Sequence, residues 1–389
     1  MNDQSLTHDR AQSLPALTGA LLFALTLFGY PIIGNFVSWL EIESRVISIP
    51  FRVLVAALSI TVIAVASYIN LDRWRFLVLL IWYALALRLG FDTWIAIIDS
   101  AEYALEFFLI ACVLPALAIW ALDAYNQKYY ASIGFIVASV GSLTALLADY
   151  YGLLGESSLT EITGRLSSTA LNPVSLGHLA LSGFFCGLTL IRSVPIWVRA
   201  PIALIMMALV MVIIQTGSKG PVIGLVIILL IWAKQRALIA PLIGLGVLAT
   251  MAILVYVDNP FAQRLMAIED DPSTIDRITL IQDSIRQIAN SPWIGSASVE
   301  LISGSYPHNI FLEGALAFGL PLTIMLALLL FYGFSKSLRL LKTENDLIPL
   351  LFLQAIVISQ ISGALFADSM LWACLILILG LETVNNEKN

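Results

Sequence analysis

From Leu14 almost to the C-terminus, windows of about 20 mainly apolar residues follow one another with only a few polar breaks. Wound as an α-helix, such a window is as long as the hydrocarbon core of a bilayer is thick, ~30 Å. Lipid offers backbone N–H and C=O groups no partner, so these windows have to be helices. Only 12% of the residues are charged, against roughly 25% in ordinary soluble domains, which excludes a water-soluble globule. The expected fold is an all-α integral membrane protein, one polytopic domain over residues 1–389 embedded in the lipid bilayer.

Twelve transmembrane helices are predicted, near 15–34, 46–69, 74–90, 101–122, 130–151, 173–191, 200–216, 220–233, 237–257, 309–333, 347–365 and 369–384. The polar segment 1–13 runs straight into the first of them, which is too long for a signal peptide and lacks a small-residue cleavage site, so it is read as a retained helix. Two longer polar loops stand out, 152–172 and 258–308. With the N-terminus in the cytoplasm, twelve Lys and Arg residues fall on the cytoplasmic side and eight outside, among them Arg165, Lys219 and Arg277. Both long loops lie outside with them, in keeping with the preference of basic residues in short loops for the cytoplasm. In the second loop Ile275, Ile278, Ile281, Ile285 and Ile288 recur at helical spacing. They predict a short amphipathic helix on the membrane surface, before the tenth span, capped by Ser273 or Thr274 and stopped by Asn290-Ser291-Pro292.

The net charge of −6 points to no particular partner, because in a membrane protein the placement of charge outweighs its sum. Cys112, Cys186 and Cys374 all lie in apolar runs and are expected to be packing residues, neither disulfide partners nor ligands. A Walker-type glycine loop and His or Cys pairs at metal spacing are lacking, so no cofactor, no metal and no nucleic-acid partner is expected.

Four cationic or titratable residues reach the external face from separate segments: Arg165, Lys219, Arg277 and His308. Cations at a membrane boundary are costly unless something anionic answers them, so a lipid-linked phosphate or diphosphate would suit them. Each also has a plainer reading. Arg165 is either a ligand for such an anion or a loop charge paired with Glu156 or Glu161. Lys219 is either a cation between two helix ends or an ordinary residue of the turn Thr216-Gly217-Ser218-Lys219-Gly220-Pro221, and the first turn of the helix after it offers N–H groups to a phosphate. Arg277 has Asp276 and Asp283 as possible partners. His308, in Tyr306-Pro307-His308-Asn309-Ile310-Phe311-Leu312-Glu313, is either a structural histidine or a general base where the loop re-enters the membrane. Glu313 lies four residues after Asn309, a spacing that suits orienting the loop better than acid catalysis. His178 and His8 are read as structural or incidental, and the acidic group Asp92, Asp99 and Glu102, near an external turn, either shapes the acceptor site or faces water, the second reading being preferred.

At these residues the chain resembles the bacterial O-antigen ligase and O-antigen polymerase superfamily of multi-pass membrane glycosyltransferases. The resemblance runs from about Gly164 to the last helix. It rests on Arg165 with Asn172-Pro173 and Gly177, on Thr216-Gly217-Ser218-Lys219-Gly220, on Arg277 leading to Asn290-Ser291-Pro292-Trp293-Ile294-Gly295, and on Pro307-His308-Asn309-Ile310-Phe311-Leu312-Glu313 followed by Gly319-Leu320. It implies transfer of an undecaprenyl-diphosphate-linked oligosaccharide, at the periplasmic face of the bacterial inner membrane, to a hydroxyl of an acceptor glycan or of lipid A-core. It further implies that Arg165 and Arg277 bind the donor diphosphate and that His308 is the catalytic base. Where the family usually has arginine in the Thr-x-Ser-Arg-Gly turn, this chain has Lys219, which keeps the charge but loses the bidentate geometry. The wording around His308 resembles polymerases of O-antigen or exopolysaccharide slightly more than ligases. A transporter of lipid-linked glycan is the alternative from another class, but it would be expected to carry ionisable groups at midplane and internal repeats.

Overall fold

A computed structural model of the chain describes residues 3–40, 44–66, 71–95, 101–153, 165–167, 172–234, 272–343 and 345–381. Among the described residues every regular element is helical. Eight helices are long and apolar enough to cross a membrane: Ser13–Asn35, Val46–Val65, Arg73–Trp94, Ala101–Leu122, Gln127–Tyr150, Pro173–Ser193, Ile196–Gln215 and Ile310–Leu340. Shorter helices follow the hydropathy pattern at Lys219–Lys234, Leu347–Ser359 and Ser369–Gly380. The predicted span 237–257 and most of the first long loop lie outside the described residues. All three cysteines are buried and unbridged. The surface helix of the second loop runs Pro272–Asn290.

The chain forms two compact units. The first comprises Met1–Ala66 and Ala121–Ile268. Its helices meet on small residues, as expected where backbones must approach without a hydrophobic driving force. A Cβ on Gly134 would stand 2.9 Å from Sγ of Cys186, and one on Gly183 would stand 3.2 Å from Cβ of Ala138. On another face of the Gln127–Tyr150 helix, Asn35 of the Tyr30–Trp39 helix donates to the carbonyl of Gly141 at 2.6 Å. Cys186 is thus a packing atom, and its chemistry is not used.

The second unit comprises Ser67–Trp120 and Glu269–Asn389. Its central element is the Ile310–Leu340 helix, which is opened at Gly319 (φ 79°, ψ 174°). At that break the helical bond from Leu320 to Leu316 is exchanged for bonds to the loop after the surface helix. The N–H of Leu320 donates to Pro292 at 2.8 Å, while Ser296 and Ala297 donate to the carbonyl of Leu316 at 2.7 and 3.3 Å. The two motifs Asn290-Ser291-Pro292-Trp293-Ile294-Gly295 and Gly319-Leu320, far apart in sequence, therefore close on each other through backbone alone. No side chain fits there: a Cβ on Gly319 would lie 2.3 Å from the carbonyl oxygen of Trp293, and one on Gly295 the same distance from that of Leu316.

This geometry generates a comparison. Gly304 also has a positive φ (66°) but open space around it, so Gly304→Ala carries only the conformational penalty, ~1 kcal/mol. Gly319→Ala adds a backbone collision and is expected to cost ~3 kcal/mol or more. Thermal unfolding of the purified protein in detergent should separate the two variants, and equal midpoints would contradict the backbone exchange.

Candidate functional site

Arg165 and Lys219 belong to the first unit, Arg277 and His308 to the second. In the first unit, the strip around Arg165 is fastened to the end of the Ile196–Gln215 helix, with Leu166 N–H donating to the carbonyl of Gln215 at 2.9 Å. Leu166 and Ser167 are buried behind it. Arg165 donates from Nε to the carbonyl of Thr216 at 2.9 Å and from Nη2 to Oγ of Ser218 at 3.0 Å. Its fork clasps the turn that leads into Lys219, itself the first residue of the Lys219–Lys234 helix. The reading of Arg165 as a loosely solvated loop charge does not hold: it is half-buried and directionally held. Glu156 and Glu161, its other expected partners, lie outside the described residues. His178 lies behind the same turn: a Cβ on Gly220 would stand 3.6 Å from its Cε1.

In the second unit, the Pro272–Asn290 helix turns Arg277, Leu280, Ser284 and Gln287 inward, while Ile275, Ile278, Ile281 and Ile285 face out. A polar stripe against protein and an apolar one outward is the arrangement a lipid surface selects, the inverse of a soluble helix. Gln287 anchors the helix. Its Nε2 donates to Ser296 Oγ at 2.8 Å and to the Val299 carbonyl at 3.2 Å, and its Oε1 accepts the N–H of Leu301 at 2.9 Å. Asp283 pairs with Arg286 at 2.8 Å.

His308 sits at the end of the anchored loop with φ 56°, in the left-handed region that side chains rarely occupy. Asn309 caps the next helix by accepting the N–H groups of Phe311 and Leu312 at 3.1 and 3.2 Å. The imidazole stands edge-on to Tyr306, with ring centroids 4.6 Å apart, and bonds to the backbone of Ser362. Its Nδ1 is buried and has no hydrogen-bond partner among the described residues. Burial holds the histidine below its ordinary pKa, the positive charge of Arg277 lowers it further, and the Ser362 bond opposes both. The ring is therefore neutral at physiological pH. Tyr306 is shifted upward by burial and by the negative charge of Glu313, so its hydroxyl keeps its proton.

The stretch 202–327 matches the family described as O-Antigen ligase. The match supports a likeness of this stretch to the O-antigen ligase and polymerase superfamily. It contains Lys219, Arg277 and His308, while Arg165 precedes it. Members of the superfamily are glycosyltransferase-like membrane enzymes, in keeping with a multi-pass chain. No curated protein matches the chain.

One expectation is corrected. Asp92, read from sequence as facing water, is fully buried. Its Oδ1 accepts Arg88 Nε at 2.8 Å and also Arg88 Nη2, and its Oδ2 accepts the N–H of Ser298 at 2.7 Å. It therefore ties the loop that carries His308 to the Arg73–Trp94 helix. The i,i+4 spacing of Arg88 and Asp92 was the available signal, whereas a backbone partner 206 residues away leaves no trace in sequence. Glu102 does face outward, and Asp99 lies outside the described residues. Asp92→Ala would strand the Arg88 cation, only 13% exposed, with an expected loss of about 3–5 kcal/mol. Unfolding of that variant at the wild-type temperature would remove Asp92 from this role.

Proposed function

We propose that the chain polymerises lipid-linked oligosaccharide repeat units into O-antigen or exopolysaccharide, moving an undecaprenyl-diphosphate-linked glycan to a hydroxyl of an acceptor glycan at the periplasmic face of the bacterial inner membrane. The observation that carries this reading is the state of His308: neutral, with a buried, unpartnered Nδ1, and held at positive φ where the loop meets the next helix. In the reaction His308 takes the proton of the acceptor hydroxyl as its oxygen bonds to the anomeric carbon. The bond from that carbon to the diphosphate oxygen breaks at the same time, and the electron pair leaves on the diphosphate. Arg165, Lys219 and Arg277 are assigned by their charge to the diphosphate, whose developing negative charge such groups stabilise. Diphosphate is already a good leaving group, so cations and one base suffice for the chemistry. A single displacement inverts the anomeric centre, so a product with retained configuration would overturn the one-step scheme.

A ligase that transfers finished glycan to lipid A-core is the second reading, favoured by the description of the matching family. The two are separated by the acceptor. In cells lacking their own polymerase and ligase, His308→Ala at matched expression should abolish transfer. A ladder of repeats restored only by wild type establishes polymerisation, and preformed chains on core establish ligation. An active alanine variant would end the role of His308.

The acid limb of kcat/KM tests the electrostatics. His308 must be neutral to act, and Arg277 opposes its protonation, so wild type should keep activity below the ordinary histidine range. Arg277→Gln removes that opposition, raises the pKa of His308 and moves the acid limb to higher pH. A limb that stays in place would separate Arg277 from the base.

A further inference from the structure

We propose that Glu313 is a positioning residue for His308, acting through the backbone of the segment between the Leu347–Ser359 and Ser369–Gly380 helices. The inference rests on the role given to His308 above. Glu313 is 3% exposed and accepts the N–H of Leu365 on Oε2 at 2.5 Å, while Oε1 has no hydrogen-bond partner among the described residues. Burying a carboxyl group this way costs free energy that an apolar side chain would not, so its presence needs a use.

That use lies in what the segment does. The segment is pinned at several points besides Glu313: Asp368 takes the hydroxyl of Ser359 and the N–H of Leu371, Trp372 donates from Nε1 to the carbonyl of Leu365 at 3.0 Å, and Asn309 donates to Gln360 at 2.9 Å. So held, it returns two contacts to the base. Its Ser362 backbone takes the imidazole hydrogen bond. Its Phe366 ring packs edge-on to Tyr306 at 6.0 Å, and Tyr306 in turn packs against His308. Without Glu313, the N–H of Leu365 loses its acceptor and both contacts loosen. The strained φ of His308 then has little to maintain it, since such conformations persist only where the surroundings over-determine them.

The charged and titratable groups around the imidazole are Arg277 from the Pro272–Asn290 helix and Tyr306 from its own loop, with Glu313 and Asp368 behind the segment. Burial is the first cause of the low pKa of His308. A loosened segment that admits water therefore moves the acid limb of kcat/KM upward, toward the ordinary histidine range.

The test uses the full-length protein in nanodiscs and the undecaprenyl-diphosphate-linked repeat unit extracted from cells that make it. Glu313→Gln, Glu313→Ala and Glu313→Asp are compared with wild type and His308→Ala for kcat, KM, pH profile and unfolding temperature. Glutamine keeps a carbonyl oxygen for Leu365, so its kcat should stay within about threefold of wild type. Alanine should lose ~10²-fold in kcat with donor KM held within about twofold, and its acid limb should rise. If alanine does not fold, aspartate, one methylene short of Leu365, carries the same expectations. Wild-type kcat in both alanine and aspartate overturns the inference. So does glutamine as impaired as alanine, or an unmoved acid limb beside a lowered unfolding temperature. A His308→Ala variant as active as wild type instead removes the catalytic reading itself, whereas a dead His308→Ala beside an active Glu313→Ala removes only the present inference.

Discussion

The arrangement of the second unit depends on one broken helix. A span interrupted at membrane depth leaves backbone groups that lipid cannot satisfy, and at Gly319 they are satisfied by the loop of residues 292–297. The exchange works in both directions. The loop supplies the Pro292 carbonyl for Leu320 and receives the Leu316 carbonyl for Ser296 and Ala297. The loop of residues 292–297 is thereby registered against the Ile310–Leu340 helix to within a hydrogen bond. The surface helix before it and the His308 turn after it inherit that register.

Buried polar groups in this unit do a related job. Asp92, Glu313 and Asp368 all accept backbone N–H groups, of Ser298, Leu365 and Leu371 respectively, and Lys336 donates to the carbonyl of Leu379 at 2.9 Å. Each joins an ionisable side chain on or beside a helix to a backbone group near a helix end or in a connection. Charged groups are expensive in such surroundings unless hydrogen-bonded. Hydrophobic contact cannot specify the path of a non-helical connection, because it is non-directional, whereas a carboxylate accepting a particular N–H can.

The sequence was most legible where the physics is one-dimensional. Among the described residues hydropathy located the apolar helices, because a bilayer sets the length of a span, and the isoleucine spacing in 275–288 located the Pro272–Asn290 helix through its periodicity. Rare residues that break an apolar background, Arg165, Lys219, Arg277 and His308, are what the sequence offers as candidates for chemistry. Tertiary partners were illegible. Water was the natural assignment for Asp92 because nothing near it in the chain, beyond Arg88, hints at Ser298. Glu313 was read as orienting the loop from its distance to Asn309, but the Leu365 N–H that it holds lies 52 residues on.

The departure at Lys219 is best understood from the turn before it. A guanidinium can both brace a backbone and present charge, while an ammonium is a compact point charge with rotatable donors. Here the bracing is already done by Arg165, whose Nε and Nη2 hold Thr216 and Ser218 from outside the turn. With that geometry fixed by another residue, the role proposed for position 219 reduces to supplying charge at the start of a helix, where the helix dipole also favours an anion. Lysine meets that requirement, and arginine would add only a second fork to a turn already clasped by one.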